Sequence, residues 1–201
     1  MPRGGLARNA TEARSLFIDI GAPVALKVSS PDLLHKTEAG VIRLALKTTD
    51  EVERAFGEII ENATKRNPQA RLDGVLVEEM IGQEVREVIV GVHQDMRFGP
   101  IITFGLGGIF VEAIKDFSVR PASVTVDEAR EMIRKIRGYP LLTAFRGRPA
   151  ADLEALAQAL CDVGQFACAW RERIAELEIN PLFVLPEGAG VVVGDALAAL
   201  R

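Results

Sequence analysis

Cysteine is scarce in this sequence. The two residues present, Cys161 and Cys168, lie in one stretch of helical pattern with no CxxC pair and no companion histidines. A metal-thiolate site is therefore not indicated, and both thiols are expected to be reduced, buried and structural. An excess of positive charge is also missing: 24 Lys and Arg against 28 Asp and Glu leave a net charge of −4. That field gives no reason to expect a polyanion such as DNA. No apolar run approaches the length needed to cross a bilayer, and the N-terminus lacks the charged, apolar and small-residue succession of a signal peptide. A soluble, cytoplasmic protein is expected, with neither nucleic acid nor membrane as partner.

What is present suits a folded chain. A hydrophobic share of 48% over 201 residues is enough to bury a substantial core, as one large domain or two small lobes. Thr11 to Ile20 reads as a helix capped by Asn9 or Thr11 and ended by Gly21. PVALKV (Pro23 to Val28) reads as a buried strand, followed by the turn-prone SSPDLLHKTEAG, the alternating strand VIRLALK, and a helix capped by Thr49 or Asp50. After a linker at Asn67 to Asp73, four short apolar segments follow closely: GVLVEEM, EVIVGV, PIITFGL and IFVEAI. Their spacing favours an antiparallel sheet. Val126 to Arg137 and Asp152 to Arg171 read as amphipathic helices, and AELEINPLFVL and GVVVGD as closing strands. Strands and helices do not alternate evenly, which points to an α+β architecture. The linker divides the chain into lobes 1–73 and 74–201.

Four places carry chemistry-bearing residues. Lys27 interrupts an apolar strand, and a lysine there needs an anion or a route to water. The glycine-bearing loop Ser29 to Gly40 follows at once and can cradle a phosphate with backbone N–H groups. His35 lies within that loop. Imidazole is nucleophilic at neutral pH and can hold a phosphoryl group, although a loop histidine bonded to a carbonyl reads the same way. FGLGGIFVE contains Gly105, Gly107 and Gly108 without the spacing of a dinucleotide fold or a P-loop, so a close backbone approach and a plain hairpin turn both remain open. In ELEINPLF, period-two alternation puts Glu176, Glu178 and Asn180 on one strand face, with oxygens that suit Mg²⁺. A hairpin pairing with the strand ending at Asp195 would bring that aspartate alongside Asn180. His93 is assigned to a turn.

Taken together, PVALKVSSPDLLHKTEAGV, GVLVEEMIGQEVREVIVGVHQDMRFGPIITFGLGGIFVE, IRGYPLLTAFRGRP and ELEINPLFVLPEG resemble the nucleotide-binding β part of ADP-forming acetyl-CoA and acyl-CoA synthetases, related to the succinyl-CoA synthetase β subunit. The resemblance runs in order over nearly the whole chain. It implies an ATP-grasp fold holding ATP or ADP with Mg²⁺ between two α+β lobes. On this match Lys27 contacts the nucleotide phosphates, Glu79, Met80 and Ile81 form the hinge that reads adenine, and Glu87 lies near the ribose. Asn180 and Asp195, with Glu178 as a weaker third, match the magnesium ligands, and His35 matches a phosphate relay. Gly105, Gly107 and Gly108 would face the phosphohistidine segment of a CoA-binding, α-type domain or subunit, which also brings the acyl substrate. Family members usually carry a further upstream helix and turn, paired glycines where only Gly40 stands here, and a basic residue soon after Asp195. Two other activities share the architecture: an ATP-grasp carboxylate ligase without a histidine relay, and a regulatory module of a protein acetyltransferase that binds ligands without converting them.

Overall fold

The computed structural model describes residues 1–21, 23–33, 40–82, 84–108, 115–144 and 147–201. His35 and the expected strand IFVEAI lie outside the described residues. Two compact units divide the chain, Pro2–Ile81 and Gly82–Arg201.

The first unit is a four-stranded antiparallel sheet in the order β1-β4-β2-β3, from β1 (Gly4–Ala7), β2 (Val24–Ser29), β3 (Ile42–Leu46) and β4 (Gly74–Glu79). Because β4 pairs with both β1 and β2, the first lobe extends one strand beyond the boundary expected at residue 73. Helix α1 (Ala10–Ile20) starts where the Asn9 side chain accepts from the Glu12 N–H, and ends at Gly21, whose φ of 66° closes the last turn. Helix α2 (Thr49–Arg66) is capped by Thr48, one residue before the expected cap. Thr48 and Glu51 exchange side-chain and backbone bonds in a capping box, which fixes the start. Val24, Leu26, Val28, Val75 and Val77 pack with Val52, Phe56 and Ile59 in one core. Strand β1 was not expected, because glycines are poor strand formers. Here a Cβ on Gly4 would lie 2.3 Å from the Val77 carbonyl oxygen, so the tight pairing requires glycine.

The second unit contains a six-stranded sheet with the path β10-β8-β5-β6-β7, and β9 pairs with β8. Its strands are β5 (Arg86–Asp95), β6 (Gly99–Leu106), β7 (Phe117–Pro121), β8 (Ile174–Val184), β9 (Val191–Val193) and β10 (Ala196–Leu200). Helices α3 (Val126–Lys135) and α4 (Leu153–Ala169) join one core with the inward side chains of the sheet, among them Val88, Val90, Phe104, Leu177 and Ile179. All pairings are antiparallel, but of the closely spaced apolar segments only EVIVGV and PIITFGL pair with each other among the described residues, as β5 and β6, since GVLVEEM forms β4 of the first unit's sheet. Strands β7 and β10 were not expected. Cys161 is buried and its thiol donates to the Val124 carbonyl at 3.3 Å, whereas Cys168 is only half-buried. Among the described residues no helix is long and apolar enough to cross a membrane.

Asp152 joins two parts of this unit. Its buried carboxylate accepts from the Ala155 N–H at 3.0 Å, capping α4, and from the Gly190 N–H at 2.9 Å in the turn between β8 and β9. Those backbone donors hold the carboxyl below the usual aspartate range, against the opposing effect of burial. Asp152→Ala is expected to cost about 1–3 kcal/mol in denaturant unfolding, the sum of a lost cap and an orphaned turn. The folded-state value lies below the unfolded one, so this stabilisation is complete above about pH 4 and disappears as the pH falls through the folded-state value. The variant should lack that component of acid sensitivity.

Candidate functional site

Alternation along β2 turns Val24, Leu26 and Val28 toward the helices and Lys27 to the opposite face. On β4 the same rule turns Val75 and Val77 inward and Glu78 outward. The register pairs Ala25 with Glu78 and Lys27 with Leu76, which makes Lys27 and Glu78 diagonal neighbours. The Lys27 Nζ lies 2.7 Å from Glu78 Oε2, with the two side chains 17% and 7% exposed. Within the first lobe the anion that meets Lys27 is thus a buried carboxylate, a residue the sequence reading missed. Alternation in GVLVEEM puts Glu78 on the Lys27 face, but only the register between two strands distant in sequence brings the pair together.

The residues after Glu78 are held closely. The Glu79 N–H donates to the Arg3 carbonyl and the Met80 N–H to the Pro23 carbonyl, both at 2.8 Å. The Arg3 guanidinium grips both carboxylate oxygens of Glu79 at 2.8 and 3.0 Å. Its hydrogen bonding holds the Glu79 carboxyl below the usual glutamate range. Ile81 is the last residue of the first unit, so the expected hinge Glu79 to Ile81 coincides with the exit from that lobe.

Both flanks of the histidine-bearing segment are fixed. Asp32 Oδ2 accepts from the Arg71 N–H at 2.7 Å, and Leu33 is buried in the first core. On the far side the Gly40 carbonyl accepts from Asn62 Nδ2 at 3.0 Å and from the Arg43 guanidinium at 2.9 Å.

In the second lobe Glu87 is exposed on β5, opposite in sense to the buried Val88, and its carbonyl accepts from the Gly107 N–H at 2.7 Å. The glycines beyond β6 have internal reasons. A Cβ on Gly105 would lie 2.6 Å from the Phe117 ring, and one on Gly107 2.9 Å from the Glu87 carbonyl carbon. Gly108 has a φ of 62°, and its Cβ would lie 3.1 Å from Glu87 Oε2. The lack of side chains at Gly105 and Gly107 is therefore demanded by this chain's own strands, whatever docks nearby. Arg86, also missed, donates to the Leu141 carbonyl at 2.6 Å and the Pro149 carbonyl at 3.1 Å, tying both residues to the start of β5. Burial, and then the nearby Arg148, lower its pKa.

The oxygen-bearing strand face forms as alternation requires. Leu177 and Ile179 are buried, while Glu176, Glu178 and Asn180 are exposed. Asn180 Nδ2 donates to Glu178 Oε1 at 3.1 Å. Strands β9 and β10 pair with successive parts of β8, and Asp195 falls between them. Its carbonyl accepts from the Asn180 N–H at 3.0 Å. The expected adjacency is present, although β9 stops at Val193 and a further strand starts directly after Asp195. Among the described residues no group of three or more His, Cys, Asp and Glu side chains is placed to hold a metal. An ion at this face would take two carboxylates and an amide oxygen, a hard donor set that leaves room for water and phosphate and suits Mg²⁺.

The ATP-grasp domain family matches residues 1–200. Over 201 residues the chain is 42% identical to the acetate–CoA ligase (ADP-forming) II subunit beta of Pyrococcus furiosus, covering all of this chain and 85% of that subunit. It is 43% identical over 188 residues to acetate–CoA ligase (ADP-forming) I of Archaeoglobus fulgidus, covering 94% of this chain but 27% of that longer one. A solved structure of the Ca. Korarchaeum cryptofilum dinucleotide-forming acetyl-coenzyme A synthetase 1 superposes with a TM-score of 0.80 and 38% identity, over all of this chain and 85% of its own. That protein is in complex with coenzyme A and Mg-AMPPCP, its phosphohistidine segment pointing towards the nucleotide binding site.

Proposed function

Because this chain belongs to the ATP-grasp family, we propose that it is the nucleotide-binding half of an ADP-forming acyl-CoA synthetase, exchanging phosphate between nucleotide and a histidine. The overall reaction converts acid, CoA and ATP to acyl-CoA, ADP and phosphate. The observation that carries the proposal is similarity along the whole chain to a subunit named for that reaction. The chemistry of the residues within each unit supports it. Lys27, anchored by Glu78, offers a cation to the nucleotide phosphates. Glu79, Met80 and Ile81 offer main-chain groups to the adenine, and Glu87 offers a carboxylate to the ribose. Asn180, Asp195 and Glu178 would hold Mg²⁺, which when bound supplies charge neutralisation on the phosphates. Phosphoryl transfer asks little of a protein beyond positioning and such neutralisation. His35 is the nucleophile: a ring nitrogen forms a bond to phosphorus while the bond to the ADP oxygen breaks, and the reverse step returns the group.

The sequence contains no CoA-binding dinucleotide fingerprint, so a CoA-binding, α-type domain or subunit is assigned the acyl chemistry. The purified chain, incubated with labelled ATP and Mg²⁺, is expected to acquire an acid-labile, base-stable phosphate and to make no acyl-CoA. Adding the CoA-binding partner should start synthesis. Acyl-CoA formed by the chain alone would refute the half-enzyme reading. Nucleotide binding without any labelled phosphate, with and without partner, would favour a regulatory module or a ligase that works without a histidine.

A further inference from the structure

We propose that Arg3 is a positioning residue for recognition of the nucleotide base, locking the main chain at Glu79 so that Glu79 to Ile81 meets an adenine ring in one fixed orientation. The proposal rests on the reading of that segment as the base-recognition hinge. Four contacts converge from Arg3. Its carbonyl accepts the Glu79 N–H at 2.8 Å. Its Nε and Nη2 donate to the two Glu79 carboxylate oxygens at 2.8 and 3.0 Å. Nη2 also donates to the Ile20 carbonyl at 3.3 Å, at the end of α1. A guanidinium fork makes two parallel bonds to a carboxylate, which fixes its plane as well as its position, and an ammonium group cannot reproduce that geometry.

One residue further on, the Met80 N–H is held by the Pro23 carbonyl. The chain at 79–80 is thus secured from the N-terminal side of β1 and from the start of β2. Ile81 is the first residue past both restraints, and the compact unit ends there. A segment leaving a sheet at a unit boundary is where backbone dihedrals change most readily. Main-chain hydrogen bonds to a heterocycle weaken steeply when misaligned. Holding the segment beforehand reduces the ordering cost of binding. Arg3 spans β1, the end of α1 and the end of β4, and so makes this exit point stiff.

The test compares binding of Mg-ATP and of Mg-tripolyphosphate, which has no base, to the full chain in wild type, Arg3→Gln and Arg3→Lys. Wild type should bind ATP more tightly than tripolyphosphate. In Arg3→Gln, ATP affinity should fall about fivefold while tripolyphosphate affinity is unchanged. Arg3→Lys should recover little of the loss; full recovery by lysine would show that charge and not the planar fork is what acts, and would overturn the proposal. Undiminished ATP affinity in Arg3→Gln overturns the proposal. An equal loss for both ligands also overturns it, by showing general loosening of the lobe. Equal affinity of wild type for the two ligands refutes the hinge itself and the clamp with it, a result distinct from failure of the clamp alone.

Discussion

His35→Asn is expected to abolish phosphate transfer. With labelled ATP, the acid-labile phosphate acquired by the wild type should fall to background, a loss on the order of a thousandfold or more. The dissociation constant for Mg-ATP should stay within about twofold. Asparagine keeps a polar group of moderate size but has no ring nitrogen able to bond phosphorus. The anchors on either side, Asp32 to the Arg71 N–H and Asn62 to the Gly40 carbonyl, do not use the imidazole, so the variant should fold. Retention of the label in His35→Asn would reduce His35 to a loop residue.

Lys27→Ala should weaken Mg-ATP binding by about 1.5–3 kcal/mol, roughly ten- to a hundredfold, the worth of a charge-assisted bond. The sequence alone suggests that the fold would be indifferent to this change. The ion pair with Glu78 alters that expectation: removing the lysine leaves a carboxylate that is 7% exposed without this cation, at a cost of up to about 3 kcal/mol to the first lobe. The combination Lys27→Met with Glu78→Gln removes both charges together and should recover stability without recovering affinity. Calorimetry on the single and double variants, with thermal melting alongside, separates the two effects. Unchanged nucleotide affinity in both would remove Lys27 from the site.

Most of the framework was legible because periodicity and capping are local. The strand at PVALKV, the helix closed by Gly21, the antiparallel pair β5 and β6, and the Glu178 and Asn180 face all follow from spacing and short-range chemistry. The missing pieces share a cause. Strand β1 is hidden by glycines whose need is visible only once Val77 lies against them. The pairs Lys27–Glu78 and Arg3–Glu79 join residues far apart in sequence, through registers that composition does not state. Gly105 and Gly107 illustrate the converse case. Their lack of side chains reads as an opening for a partner, and Phe117 and Glu87 of the same chain require it independently, so the glycines alone do not argue for one. The cap of α2 shows how narrow the margin is: Thr48, Thr49 and Asp50 are all competent, and the reciprocal bond with Glu51 selects the first.

Strand β8 has two roles that cannot be separated. Its inward side chains, Leu177 and Ile179, complete the core, and its outward ones, Glu178 and Asn180, supply the oxygen donors. A shift of one residue would carry the donors into the core and the leucine and isoleucine into solvent. Insertions and deletions within this strand are therefore far more constrained than substitutions at any one position.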